Sequence, residues 1–145
     1  MMRLLAMFML VISTTALAQQ RTPQLLITAW EKSWNTYNLD DVTQLFVNDS
    51  SVTYFSSERA GLIHGIDSLV KHHRSFGFVP GGKSSSNRLW LTETRYLSNA
   101  ATATWHFQRP GSPIQQGPVT FILKSVPGGY RIAHAHFSND PKKGK

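Results

Sequence analysis

Two histidines near the C-terminus have the residue type and the spacing to bind a metal ion or to transfer a proton. His134 and His136 lie in residues 130–138, a segment whose side chains alternate in polarity. Such alternation predicts a β-strand, in which residues two positions apart share a face. Both imidazoles are therefore expected on one face of this strand. The opposite face is apolar and consists of Ala133, Ala135 and Phe137.

A zinc site needs at least a third protein ligand, and the sequence places none next to this pair. His106 has the matching phase on another predicted strand, but a strand between them would separate the imidazoles by about 9.5 Å. The adjacent His72 and His73 would leave a helix in different directions. We therefore predict no metal site and no cofactor. A nucleophilic triad also lacks support, because the chain has no cysteine and no serine in a Gly-x-Ser-x-Gly turn.

Residues 1–18 have the pattern of a cleaved signal peptide. A basic start at Arg3 is followed by an apolar run and by Ala16-Leu17-Ala18, the small-x-small pattern of a signal-peptidase site. The apolar run is about half the ~20 residues that a membrane-spanning helix needs. We expect cleavage after Ala18, export to the periplasm or beyond it, and no integral membrane association.

The net charge of +7 is concentrated towards the chain ends. Residues 22–139 contain ten Lys/Arg and seven Asp/Glu, whereas residues 140–145 form a basic tail that we expect to be disordered. A nucleic-acid-binding surface would combine a Lys/Arg stripe with interleaved aromatic residues, and no such stripe occurs. The sequence therefore argues against nucleic acid as a partner.

The order of elements predicts a single α+β domain over residues 22–139. Thr22-Pro23 is a helix start, Asp40 is expected to cap a short second helix, and Gly65-Ile66-Asp67 opens a third. A short strand is expected between the second and third helices, and residues 56–62 are expected to form a loop. The predicted strands are 52–55, 88–97, 101–108, 116–124 and 130–138. Helices followed by strands indicate an antiparallel sheet with the helices on one face.

The closing segment resembles that of a known superfamily. Its aromatic-x-Ile-x-His-x-His-x-Ser pattern is formed by Tyr130, Ile132, His134, His136 and Ser138. With the preceding order of elements, the chain resembles the nuclear transport factor 2-like superfamily, nearest its SnoaL-like and calcium/calmodulin-dependent kinase II association-domain branch. The resemblance implies a cone in which a strongly curved sheet wraps the first helix and leaves a pocket at the wide end.

The resemblance implies two kinds of function. Isomerase-type members keep a carboxylate base in the pocket, but residues 52–55 contain no Asp or Glu, so only a histidine or Glu93 remains as a candidate base. No catalytic residue can be assigned. We therefore favour an exported, non-catalytic small-molecule-binding or assembly domain. The alternative is a cyclase-, isomerase- or dehydratase-like enzyme that acts on a small hydrophobic substrate.

Aromatic side chains on the inward phase could line the pocket. Trp and Tyr combine an apolar ring with a polar group that can orient a ligand. Arg95 could supply a cation for a carboxylate, as could Arg59. The predicted pocket residues are Trp34, Tyr54, Arg95, Trp105, Phe121 and Phe137.

The outward phase mixes Thr, His and Ile, although a solvated sheet face usually carries charged residues. This composition favours contact with a second copy of the chain, and we predict a homodimer. The predicted interface residues are His106, Thr120, Ile122, His134 and His136.

Overall fold

The structure is a computed structural model that describes residues 21–141. The predicted signal peptide with its cleavage site, and most of the predicted basic tail, lie outside the described residues. Within residues 21–141, no helix is long and apolar enough to cross a membrane.

Helix α1 (Pro23–Thr36) begins as predicted. The Thr22 hydroxyl accepts a hydrogen bond from the Leu25 amide at 3.2 Å, and the proline occupies a first-turn position where no amide donor is needed. The helix ends at Tyr37, which adopts a left-handed conformation with a φ of 51°. Its buried residues are Leu26, Ile27, Trp30, Ser33 and Trp34. They place one broad apolar stripe against the sheet.

Two shorter helices follow, α2 (Asp40–Leu45) and α3 (Ile66–Ser75). The prediction that Asp40 caps α2 is wrong. Leu39 holds the capping position without a side-chain hydrogen bond, and the Asp40 carboxylate instead accepts from the Gly81 amide at 2.9 Å. Asp40 therefore ties the start of α2 to the 80–82 turn, a long-range contact that local spacing does not reveal.

Six strands form one curved, unclosed sheet, with the order β2-β1-β6-β5-β4-β3. Their bounds are β1 Thr53–Phe55, β2 Leu62–His64, β3 Arg88–Tyr96, β4 Ala100–Gln108, β5 Gln115–Val126 and β6 Gly129–Phe137. The sheet is mixed and not wholly antiparallel, because β1 runs parallel to β6. Strand β2 falls partly in the predicted loop, since three residues with a single buried side chain give too short a pattern to be recognised.

A bulge in β6 changes which residues face the core. In the pairing with β5, Ile122 lies opposite His134 and the next residue, Leu123, lies opposite Ile132. Ala133 is therefore the extra residue of the bulge. Ile132 is consequently fully buried, whereas Ala133 is only partly buried. The strict alternation that assigned Ile132 to the outer face and Ala133 to the inner face is therefore wrong at this point. His134 and His136 keep their predicted outward phase beyond the bulge.

A second bulge lies in β3, between Thr92 and Arg95. Glu93 sits in it with a φ of 54°, a conformation that costs a non-glycine residue energy. Before the bulge Leu89 and Leu91 face the helices, and Trp90 lies outside opposite His106. These positions establish which side chains of β3 face the core, a question that the alternation of polarity alone left open.

Helix α1 is fixed to β3 by a pair of side-chain hydrogen bonds. The Asn35 amide group donates to the Leu89 carbonyl and its oxygen accepts from the Leu89 amide, both at 3.0 Å. The core then fills the space between α1 and the sheet, with Trp30 edge-on to Phe121 at a ring distance of 4.9 Å. Helices on the concave face and a curved sheet around them confirm the predicted α+β cone.

Candidate functional site

A small cavity opens between α1 and the inner face of the sheet, at one end of the core. Its volume is about 50 Å³, or about 460 Å³ when the open space at its mouth is included. The apolar wall consists of Trp34, Tyr54, Phe76, Leu89, Trp105, Phe107 and Phe137, and the polar residues are Ser56, Ser57, Glu58, Arg109 and Gln115. Ligand pockets usually measure roughly 300–1,000 Å³. The enclosed part can therefore hold only a small functional group, and any larger group would lie at the mouth.

The wall is held rigid by aromatic packing. Tyr54 stacks on Phe137 with ring centres 5.3 Å apart and planes inclined by 28°. Trp34 meets Phe76 edge-on at 5.3 Å and Phe107 at 6.4 Å. Of the predicted pocket residues, Trp34, Tyr54, Trp105 and Phe137 are brought together here.

Two polar groups lie on this wall. The Trp34 indole nitrogen is buried and has no hydrogen-bond partner among residues 21–141. Burial raises the pKa of the Tyr54 phenol, so this hydroxyl stays neutral and can donate a hydrogen bond at any physiological pH. The Trp105 indole, by contrast, already donates to the Ser138 carbonyl at 2.9 Å and serves to close the wall.

Glu58 and Arg109 line the mouth of the cavity. Glu58 follows β1 in a turn where its amide donates to the Ser56 hydroxyl at 3.1 Å, and Arg109 follows the last residue of β4. The Arg109 guanidinium lies over the Phe107 ring at 5.7 Å. Sequence reasoning missed both residues, because only the strand order brings these two distant loops to the same end of the sheet. One feature of the sequence could have identified them: both are polar residues that follow a strand containing a predicted pocket aromatic residue.

Two predicted pocket residues lie elsewhere. Phe121 is fully buried under Trp30 and belongs to the core below the cavity. Arg95 pairs with Thr102 and is exposed on the outer face, so it cannot supply a cation to this cavity. The β3 bulge is the physical reason, since it sets which side of the sheet each residue after it faces. Glu93 is also outside, where its carboxylate accepts from the Thr104 hydroxyl at 2.9 Å.

Two neighbouring histidines of α3 are buried beside the cavity wall. Burial lowers the pKa of His73 to about 4, although a hydrogen bond at 2.9 Å between its Nδ1 and the Leu69 carbonyl opposes this. Burial, with a smaller contribution from the Arg59 charge, lowers the pKa of His72 to about 4 as well. Both imidazoles are therefore neutral at pH 7. His73 packs against Trp34 and Tyr54 as a core residue, at ring distances of 5.6 and 5.9 Å.

The outer face brings its histidines into pairs with threonines. His106 Nε2 lies 2.8 Å from the Thr92 hydroxyl, and His134 Nδ1 lies 2.8 Å from the Thr53 hydroxyl. Strand β5 lies between His106 and the other two histidines predicted on the outer face, His134 and His136. In the part of the chain that the structure describes, no three His, Cys, Asp or Glu side chains come together as a metal site.

Comparisons with known proteins give structural matches only. No family model and no curated protein matches the sequence. A nuclear transport factor 2-like superfamily protein from Salmonella enterica aligns with a TM-score of 0.61 at 22% identity, over 82% of this chain and 89% of its own. A candidate calcium/calmodulin-dependent protein kinase type II association domain from Thiobacillus denitrificans gives 0.62 at 14% identity, over 84% and 98%.

A candidate ketosteroid isomerase from Parabacteroides distasonis aligns similarly, with a TM-score of 0.60 at 15% identity over 83% of this chain and 89% of its own. These proteins differ in what their names say they do, so the likeness concerns architecture and not activity. The predicted resemblance is confirmed at that level: the chain has the nuclear transport factor 2-like fold.

Proposed function

We propose that this chain is an exported, non-catalytic binding domain for a small amphipathic molecule that carries a hydrogen-bond acceptor on an apolar ring. One observation carries the proposal. The cavity has an aromatic wall that contains an unpartnered Trp34 N–H and a buried neutral Tyr54 hydroxyl. A buried donor without a partner costs about 1–3 kcal/mol, which an acceptor atom of a ligand would recover.

The cavity size limits how the ligand sits. About 50 Å³ accommodates a carbonyl group, and the attached ring then lies at the mouth, near Phe76 and Phe107. Aromatic contacts of this kind contribute on the order of 1 kcal/mol beyond simple area burial. A polar or charged end of the ligand would point outwards to Glu58 and Arg109.

The ionisable groups support the non-catalytic role. A general base must reach the proton that it removes. Among residues 21–141, Glu58 at the mouth is the only carboxylate on the cavity lining, and His73 is engaged with Leu69. The inner wall therefore supplies hydrogen-bond donors and rings but no base.

Ligand-observed NMR with a matched pair of compounds tests the proposal. Acetophenone has the required carbonyl on a ring, whereas ethylbenzene has nearly the same shape without the acceptor. We expect acetophenone to bind more tightly, and Trp34→Phe to weaken its binding about threefold to tenfold, as the loss of one hydrogen bond requires. Ethylbenzene binding should be unchanged in this variant.

Trp90→Phe provides the control, because Trp90 lies on the outer face of the same sheet. It should bind both compounds as the unmodified chain does. Equal loss of both compounds in Trp34→Phe, or no preference for acetophenone, would contradict the proposed role of the two donors.

The alternative function is proton transfer next to a carbonyl, as in an isomerase-like enzyme, and the position of Glu58 favours it over other chemistries. If Glu58 acts as a base, the methyl protons of acetophenone will exchange for deuterium in D₂O faster in the presence of the protein. Glu58→Gln would abolish that acceleration and leave binding intact. Exchange at the uncatalysed rate supports the binding-only function.

We also propose that two copies of the chain associate through the outer sheet face. Ile122 and Phe55 are 38% and 36% exposed on this face, where they pair with His134 and His136 and form one continuous patch with them. The pKa of His134 is lowered by burial and by His136, which keeps this imidazole neutral in an interface at pH 7. Light scattering should give a dimer mass at micromolar concentration.

The double variant Ile122→Glu, His134→Glu should be monomeric, because it places carboxylates in the centre of the face. Leu25→Glu is the matched control: Leu25 is 47% exposed on α1, away from the sheet, and this variant should remain a dimer. A monomer mass for the unmodified chain would rule the dimer out. Export is tested separately by the intact mass from the producing cell, which should begin at Gln19.

A further inference from the structure

A second, larger depression lies outside the cone, between α3, β2 and the turn that follows β1. It has a volume of about 670 Å³ and shares only Glu58 and Phe76 with the cavity. Those two side chains form the boundary between the two spaces. We call this depression the α3–β2 groove.

One face of α3 lines the groove with polar side chains. Ser68, Lys71, His72 and Ser75 recur at spacings of three and four residues, so they lie on one side of the helix. Arg59 and His64 line the groove from the turn and from β2. The groove therefore carries the Arg59 and Lys71 charges against the single carboxylate of Glu58.

His72 gives the independent sign of a ligand. The residue is only 6% exposed, lines the groove, and has an Nε2 atom that is buried without a hydrogen-bond partner among the described residues. A buried polar atom of this kind normally has a partner, and leaving it without one costs free energy. A small rotation of the His72 ring would turn Nε2 towards the groove, where an oxygen atom of a ligand would supply that partner.

We propose that the α3–β2 groove binds a soluble molecule through a phosphate monoester group. A phosphate dianion accepts hydrogen bonds from several directions and matches the two cations in charge. Arg59 and Lys71 pair with its oxygens, the His72 Nε2–H donates to it, and the Ser68 hydroxyl completes the set. The groove volume leaves room for a group of sugar size attached to the phosphate. This site is independent of the ligand proposed for the cone.

Titration with inorganic phosphate at constant ionic strength, followed by NMR of the histidine rings, tests the site. We expect saturable shifts of the His72 ring, with the His73 ring unchanged. The pKa of His72 should rise in the presence of phosphate, since a bound anion favours the imidazolium. Methyl phosphate should bind like inorganic phosphate.

Arg59→Gln and Lys71→Gln should each weaken phosphate binding at least about tenfold, as expected when a hydrogen bond between charged groups is lost. Arg74→Gln is the matched control, because Arg74 lies on the same helix but does not line the groove. His72→Phe keeps the ring volume and should also lose phosphate binding while retaining the unfolding midpoint of the parent.

Three results would overturn the site. One is the absence of saturable His72 shifts, and another is an equal loss of affinity in Arg74→Gln, which would indicate a diffuse charge effect. The third is binding to phosphatidic acid vesicles without binding to methyl phosphate, which would assign the groove to a membrane surface. Acetophenone binding should be unaffected by Lys71→Gln, so failure here and failure of the cone proposal are distinguishable.

Discussion

The inner face of strands β4–β6 packs large apolar side chains around Trp30, whereas the outer face of the same strands carries Thr, His and Ile. The two faces also differ in how their polar atoms are satisfied. On the outer face His106 and His134 are bonded to threonines of neighbouring strands. On the inner side the indole nitrogens of Trp30 and Trp34 have no partner within residues 21–141.

This difference suggests different roles for the two sides of one sheet: the outer face contributes to stability, and the inner side contains the groups of the proposed binding site. Cross-strand pairs that satisfy each other stabilise a sheet modestly and need no ligand. Unsatisfied donors in a packed interior cost free energy in the absence of a ligand. The histidines of the outer face that bond threonines are thus satisfied within the sheet, whereas the unpartnered donors belong to α1, which packs against the inner face.

The strongest test of the contrast compares adjacent residues on opposite faces of β5. Phe121→Ala should destabilise the fold by about 3–5 kcal/mol, because it removes a fully buried ring and leaves a cavity. Ile122→Ala, on the exposed side, should cost less than about 1 kcal/mol in the monomer. Urea unfolding of both variants measures the difference, and similar losses would show that the two faces are equally packed.

The β6 bulge provides the next test. Ile132→Ala should cost about 2–5 kcal/mol, since Ile132 is fully buried. Ala133→Ser, at the extra residue, should change stability by less than about 0.5 kcal/mol. An uninterrupted strand would give the opposite ranking, so chemical denaturation of this pair decides whether the bulge exists in solution.

Lowering the pH should reduce the stability of the fold through His73, which lies on the inner side of the sheet. Its folded pKa of about 4 lies below the ordinary value of 6.5, so the unfolded chain binds a proton between these pH values that the folded chain does not. The contribution of His73 is therefore complete above pH 6.5 and declines as the pH falls towards 4, by on the order of 3 kcal/mol.

His73→Phe should reduce the slope of this part of the stability curve, measured by urea unfolding between pH 7 and pH 4, and the slope that remains should come from His72, whose pKa is lowered as well. His106→Gln, on the outer face, should keep the slope of the unmodified chain. A His73→Phe curve that parallels the parent throughout would mean that His73 is not the group responsible.

The smallest expected effect concerns the outer-face pair of Trp90 and His106. Their rings stack with centres 5.1 Å apart and planes inclined by 7°. A double-mutant cycle with Trp90→Ala and His106→Ala should give a coupling of about 0.5–1.5 kcal/mol. A coupling of zero would indicate that the stacking of these two rings does not contribute to stability.

Local sequence patterns predicted most of the fold, because helix caps and strand alternation are written in neighbouring residues. Thr22-Pro23 marked the start of α1, and the phase of Phe121 and Trp105 gave the correct inward face. Both bulges were missed. An extra residue such as Ala133 has no compositional mark, and its effect is visible only in the pairing with the next strand.

The candidate site was less predictable than the fold. Its aromatic wall could be listed from phase, since Trp34 and Tyr54 lie on inward faces of regular elements. Its polar mouth could not, because Glu58 and Arg109 are loop residues that meet only through strand order. The unpartnered state of His72 Nε2 depends on packing in three dimensions, which no spacing rule conveys.

The segment after β6 is bonded to Trp105 of the cavity wall and to β5. The Ser138 amide donates to the Pro118 carbonyl at 3.1 Å, and its carbonyl accepts from Trp105. The Asp140 amide donates to the Gln116 carbonyl at 2.9 Å, and Gly117 leaves no room for a side chain beneath Ser138.

For protein production, these hydrogen bonds determine where the chain can be truncated. An affinity tag after Lys145 leaves every one of these hydrogen bonds in place. A truncation after Phe137 would release the Trp105 indole and open the back wall. A shortened chain made for crystallisation should therefore retain Asp140, because without it the cavity would differ from that of the longer chain.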